Sequence, residues 1–110
     1  MQAQTIIHSQ GALPLKGTFT PVEDGPVLFV VTSTAWSTTT DTKIGISVSL
    51  DGAVIGSVTM LANQKSVHMT LPTLFLNATI KSIQPHTITV TALGTTVTDV
   101  NDIFVVQLLV

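Results

Sequence analysis

Short runs of β-branched and aromatic residues alternate with turn-forming residues along all 110 positions. Turn signals recur at Gly11-Ala12-Leu13-Pro14, Glu23-Asp24-Gly25-Pro26, 37–42, Asp51-Gly52, 62–65, Leu71-Pro72, Gln84-Pro85, 94–96 and 99–102. About eight or nine strand-like runs lie between them, and no stretch carries a helical period. Short strands at such spacing predict an all-β fold, an antiparallel two-sheet β-sandwich of the jelly-roll kind. The chain reads as one domain over 1–110, without repeat or linker, and is long enough to bury about 65% of its unfolded surface.

Two kinds of strand are expected. In one, polar and apolar residues alternate: Ile88, Val90 and Ala92 oppose Thr87, Thr89 and Thr91, and Val67, Met69 and Leu71 oppose Ser66, His68 and Thr70. Such strands have one wet face. The other kind, "PVLFVV" at 26–31 and "IFVVQLLV" at 103–110, is apolar on both faces. One face meets the core, so the other asks for a second cover, and without a helix to supply it the source is a neighbouring subunit. The expected oligomer interface is Val27, Leu28, Phe29, Val30, Val31, Phe104, Val106, Leu108 and Val110. The alternative is a pair of central strands whose outer apolar residues are simply tolerated.

The segment "ISVSLDGAVIGSVTM" is a hairpin about Asp51-Gly52. A three-residue turn, Leu50-Asp51-Gly52 with a glycine bulge, sets Ser49 against Ala53 and Val48 against Val54. It gathers Ile44, Ile46, Val48, Val54 and Val58 on one face and Lys43, Ser47, Ser49, Ser57 and Thr59 on the other, with Ile55 the misfit. A two-residue turn segregates the faces less well, so the three-residue turn is predicted.

Composition narrows the function. Charged residues make up 9% of the chain, and nineteen threonines supply much of its polarity. There is no arginine, the four lysines are scattered and the net charge is −2, which argues against nucleic acid as a partner. Cysteine is absent, so disulfides and thiolate metal sites are excluded. No apolar run approaches about 18 residues and no leader pattern opens the chain, so neither membrane insertion nor a signal peptide is expected. An extracellular or virion-associated setting is favoured, since removal of a signal, another export route or release by lysis would each fit.

Candidate chemistry is sparse. No nucleophile elbow, phosphate loop or dinucleotide fingerprint occurs, five of the six carboxylates sit at or beside turn residues, and a non-enzyme is expected. His8, His68 and His86 are too far apart for a local metal motif and read as surface or edge residues. Trp36 ends a strand beside the hydroxyl-rich "STTTDT". With Asp41 it forms a candidate ligand-binding pair, because an exposed indole beside polar donors suits a sugar ring. The competing role for Trp36 is closure of the core's end, with its N–H on a nearby carbonyl. In "TDVNDIF", Asp99, Asn101 and Asp102 place three oxygen donors within four residues, a candidate calcium set or an Asx turn leading into the last strand.

Two resemblances add to these readings. "TDVNDIF" resembles the acidic loop of small calcium-dependent bacterial fucose- and mannose-binding lectins, which would imply calcium on Asp99, Asn101 and Asp102, with the carboxylate of Val110 also matching the pattern. Leu93 and Val97 stand where that family carries further acidic ligands. Over most of its length, through "GTFTPVEDGPVLFVV", "SVSLDGAVIGS" and "DIFVVQLLV", the chain resembles the tumour-necrosis-factor and complement-globular-head jelly roll. That resemblance implies trimers formed through an apolar inner sheet. The expectation is a non-enzymatic, homo-oligomeric recognition or adhesion module, trimeric by this resemblance, that binds glycans or a cell-surface protein without an obligate cofactor. The alternatives are a structural component of a virion or secreted assembly and a calcium-dependent lectin.

Overall fold

The computed structural model describes residues 2–110, and among them there are strands and turns but no helix. The strands are β1 (Ala3–Gln10), β2 (Leu15–Phe19), β3 (Gly25–Ala35), β4 (Thr42–Leu50), β5 (Ala53–Ala62), β6 (Met69–Thr70), β7 (Leu74–Ile80), β8 (His86–Ala92) and β9 (Ile103–Leu109). One sheet runs β1-β9-β3, with β7 pairing the first part of β3 and β6 its end. The other runs β2-β8-β4-β5, and every pairing is antiparallel. The chain changes sheet after β1, β2, β3, β5, β7 and β8, which is the jelly-roll path the turn spacing predicts.

The two sheets close on a core centred on Phe29 and Phe104, both fully buried, with Ile44, Ile46, Val48, Ile88, Val90 and Val106 packed around them. Phe19 meets Phe29 edge to face at 5.8 Å, an arrangement aromatic quadrupoles favour. On the far side of the second sheet, Ser49 pairs with Thr89 and Ser47 with Thr91, so the hydroxyl face expected from β8 continues across β4. The expected strand at 66–71 is much shorter. Ser66 takes a positive φ of 62°, and only Met69 and Thr70 pair with β3.

Of the residues expected at a subunit interface, Val27, Phe29, Val31, Phe104, Val106 and Leu108 lie inside this core. Successive side chains of an extended strand point to opposite faces, and the chain's own second sheet covers every other one. Leu28 and Val30 face outward. Leu28 sits between Asn77 and Leu109, Val30 between Phe75 and Gln107, and Thr32 beside Val105. With Phe75 at 65% exposure and Ile103 at 44%, the outer face of the first sheet carries an apolar band interrupted by Asn77, Gln107 and Thr32. Val110, also half exposed, lies beyond the end of β9 and not within the band.

The hairpin corrects the expected turn. Leu50 pairs with Ala53 across a two-residue turn in which Asp51 and Gly52 have φ of 51° and 87°. Both central residues in the left-handed region define a type I′ turn, for which Asp-Gly is well suited. Farther along, Ser49 pairs with Val54 but Val48 with Gly56, so Ile55 is the extra residue of a bulge. The bulge restores the segregation the three-residue turn was meant to achieve. Val58 and Met60 pack on the core, Ser57 and Thr59 face out, and Val54 is left exposed.

Candidate functional site

Three connections meet where β3 ends: 37–41, 63–68 and 93–102. Two backbone bonds between Trp36 and Val97, both 2.9 Å, join the first to the third. Ser66 N–H donates to the Ser37 carbonyl at 2.7 Å and draws in the second. Gly11 N–H on the Asp102 carbonyl and Leu13 N–H on Thr98 Oγ1 tie the β1–β2 connection to the same place.

At the centre stands Asp102, fully buried. Its Oδ1 accepts from Thr34 Oγ1 and His68 Nδ1, each at 2.8 Å, and its Oδ2 accepts the Asp99 N–H at 2.9 Å. Thr34 Oγ1 in turn accepts the Ile103 N–H at 3.1 Å. A buried carboxylate is costly unless it is hydrogen-bonded, and these donors meet that cost. Asp99 Oδ1 accepts from Asn101 N–H at 2.8 Å, which makes 99–101 an Asx turn.

The open side of the cluster is formed by His68 and Asp99, each about one-third exposed, with His68 Nε2 3.8 Å from Asp99 Oδ2. The hydrogen bond that His68 donates to Asp102 raises the His68 pKa above the ordinary histidine value. Desolvation opposes this, while the charges of Asp102 and Asp99 add to it. The Trp36 ring lies against His68, with centroids 5.7 Å apart and planes at 43°. Trp36 is partly exposed, but its indole N–H is buried without a partner among the described residues, so the carbonyl expected to receive it does not do so.

The structure therefore brings Trp36, Asp99 and Asp102 together, while Asp41 is exposed on the 37–41 connection at a φ of 53°. It adds His68 and Thr34, neither of which the sequence marked as a site residue. His68 stands about thirty residues from either partner, and no local pattern distinguishes it. Of the expected calcium set, Asp99 and Asp102 bring carboxylate oxygens within 4.8 Å of each other and of a His68 ring nitrogen. Asp102 is turned inward onto three donors, and Asn101 is exposed with its backbone N–H on Asp99. Val110 lies at the far end of β9, about 25 Å from Asp102 at strand rise, so its carboxylate cannot join Asp102 within one chain. A cleft of about 140 Å³ lined by Gln2, Pro21, Val22, Leu108 and Val110 lies at that far end, away from the cluster.

His86, expected at a surface or edge, is largely enclosed, its side chain 12% exposed. Its Nδ1 meets Asp51 Oδ2 at 2.5 Å, its Nε2 the Ser82 carbonyl at 2.9 Å, and its ring packs on Phe19. With both ring nitrogens engaged it serves the architecture.

No known protein family and no characterised protein matches the chain by sequence. Solved structures match in backbone. A family 35 carbohydrate-binding module from Clostridium thermocellum superposes with a TM-score of 0.58 at 9% identity, over 91% of this chain and 72% of that one. Eiger TNF from S. frugiperda gives 0.60 at 9% identity, over 86% of this chain and 64% of its own. The EclA C-terminal domain, a sugar-binding protein, gives 0.53 at 17% identity, over 97% and 76%. The shared property is the fold. The chain is a jelly-roll β-sandwich of the architecture seen in a TNF and in carbohydrate-binding modules. It spans less than two thirds of the Eiger chain.

Proposed function

We propose that this chain is a non-enzymatic recognition module that binds glycans at the Trp36 end of the sandwich. The observation that carries the reading is a partly exposed indole set beside His68 and Asp99, with Asp102 fixing the histidine from below. A flat aromatic ring with a few fixed polar groups is how a protein holds a pyranose, by stacking plus directional hydrogen bonds. Nucleophilic chemistry has little support here, because among the described residues no hydroxyl lies within hydrogen-bond reach of His68 Nε2. Carbohydrate-binding modules among the structures of like fold support the same reading. A glycan array probed with the wild type and Trp36→Ala tests it. Binding to a defined sugar set that Trp36→Ala loses is expected. A blank array, with and without calcium, would overturn the reading.

We further propose that the module associates with copies of itself, as a trimer, through the outer face of the first sheet. The apolar band of Leu28, Val30, Phe75, Ile103, Val105 and Leu109 supports this. The same band favours a second reading, a structural part of a virion or secreted assembly in which that face builds a lattice. The calcium-dependent lectin has less support, since calcium takes six to eight oxygens and Asp102 already serves three donors. A melting temperature unmoved by chelation would remove it.

A further inference from the structure

We propose that His68 Nε2 and Asp99 Oδ2 form a binding site for a divalent transition-metal ion of the zinc class, with buried Asp102 as the group that orients the histidine. The inference is independent of glycan binding, since a chain that binds no sugar can still hold the ion.

Donor chemistry selects the ion class. With Nδ1–H donated to Asp102 Oδ1, the neutral imidazole turns the lone pair of Nε2 toward the open side. Asp99 Oδ2 stands 3.8 Å from it, too far for a hydrogen bond; it attracts the protonated ring, and once Nε2 gives up its proton the two acceptors face each other across the gap. A cation between them satisfies both. Zinc bonds to imidazole nitrogen and carboxylate oxygen are about 2.1 Å, so closure of the pair by about 0.4 Å gives a tetrahedral angle at the metal. An imidazole in the set favours zinc, nickel or copper over calcium, which prefers oxygen donors alone.

The arrangement behind the donors is the second argument. A metal-binding histidine commonly donates its other ring N–H to a carboxylate, which fixes the tautomer and raises the ring's basicity. Asp102 occupies that place, and Thr34 Oγ1 and the Asp99 N–H hold it there. Because the same Asp102–Asp99 turn carries Asp99, the orienting group and the second donor are fixed to each other. Both proposed donors are about one-third exposed, which leaves room for ion entry and for water at the remaining positions.

Trp36 provides the readout. It is the only tryptophan, and its ring is 5.7 Å from the imidazole, so a paramagnetic ion at Nε2 should quench its fluorescence. The experiment titrates the full chain with NiCl₂ and then displaces the nickel with ZnCl₂, which does not quench. Saturable 1:1 quenching, reversed by zinc, is expected. His68→Ala and Asp99→Asn should abolish it at nickel concentrations that saturate the wild type, and Asp102→Asn should weaken it about 10- to 100-fold. Asp102 is buried and its variant puts the fold at risk, so the two exposed-donor variants with unchanged circular dichroism decide the matter. Absence of saturation in the wild type, or equal quenching in His68→Ala, would overturn the proposal.

Discussion

His86 and Asp51 clamp the tip of the β4–β5 hairpin to the start of β8. Nδ1 and Oδ2 are 2.5 Å apart, Asp51 Oδ1 accepts the Thr87 N–H at 2.9 Å, and Asp51 N–H donates to the Thr87 carbonyl. The clamp fixes the edge of the second sheet with one charged contact. It also holds the left-handed Asp51 in place.

That pair makes stability depend on pH. The Asp51 hydrogen bond, then the Ser82 carbonyl, raise the His86 pKa above its ordinary 6.5. The His86 bond, then the Thr87 amide, lower that of Asp51 below 3.8. The histidine's contribution is complete below 6.5 and is lost as pH rises through its raised folded value. The aspartate's is complete above 3.8 and is lost as pH falls through its lowered folded value. The gap in melting temperature between wild type and His86→Gln should therefore be widest between these limits and narrow on both sides. Asp51 is half exposed, so solvent screening should keep the corresponding difference in unfolding free energy to ~1 kcal/mol or less. A gap indifferent to pH would refute the clamp.

Truncation of the core should be far more costly. Phe29 and Phe104 are fully buried on adjacent strands of one sheet. Phe29→Ala or Phe104→Ala should each cost ~3–5 kcal/mol in urea unfolding, the lost transfer energy plus the cavity left behind. A loss under ~1 kcal/mol would mean the core is not packed as described.

The hairpin register has its own test. A side chain at Gly56 would collide with Leu76 of the opposite sheet, so Gly56→Val should destabilise by ~1–3 kcal/mol through overpacking. Gly52 has open space around it but a φ of 87°, so Gly52→Ala should cost ~1 kcal/mol from backbone strain alone. Equal tolerance of both would refute the close approach of Gly56 to Leu76 and the left-handed backbone at Gly52.

For the outer face of the first sheet the measurement is mass in solution. Phe75 is 65% exposed and projects from β7 beside Val30. Light scattering of the wild type should give a multiple of 11.6 kDa, and Phe75→Asp should reduce it with circular dichroism unchanged. A wild-type mass of one chain would end the proposal of self-association.

Much of the fold was legible because its signals are local. Turn residues at 23–26, 51–52 and 94–96 punctuate β-branched runs, and alternation on β8 assigns Thr87, Thr89 and Thr91 to the wet face without knowledge of neighbours. The apolar run at 26–31 was legible only as apolar. Which of its residues meet the core and which face out follows from how the second sheet lies over it. Of the site, Trp36, Asp99 and Asp102 were marked by residue type, while His68 carried no local mark at all.

The sequence by itself determined an all-β sandwich, the positions of its turns and the polarity of its strand faces. These depend on backbone preferences and on a period of two, which each segment carries in its own residues. The tertiary structure alone decided the two-residue turn with its bulge at Ile55, and the meeting of His68, Asp102 and Trp36. A bulge can shift register inside a strand without any mark in the turn. The environment of a lone histidine is set by loops that arrive from distant parts of the chain. For this protein, that arrival converts a surface histidine and an acidic turn into one candidate site.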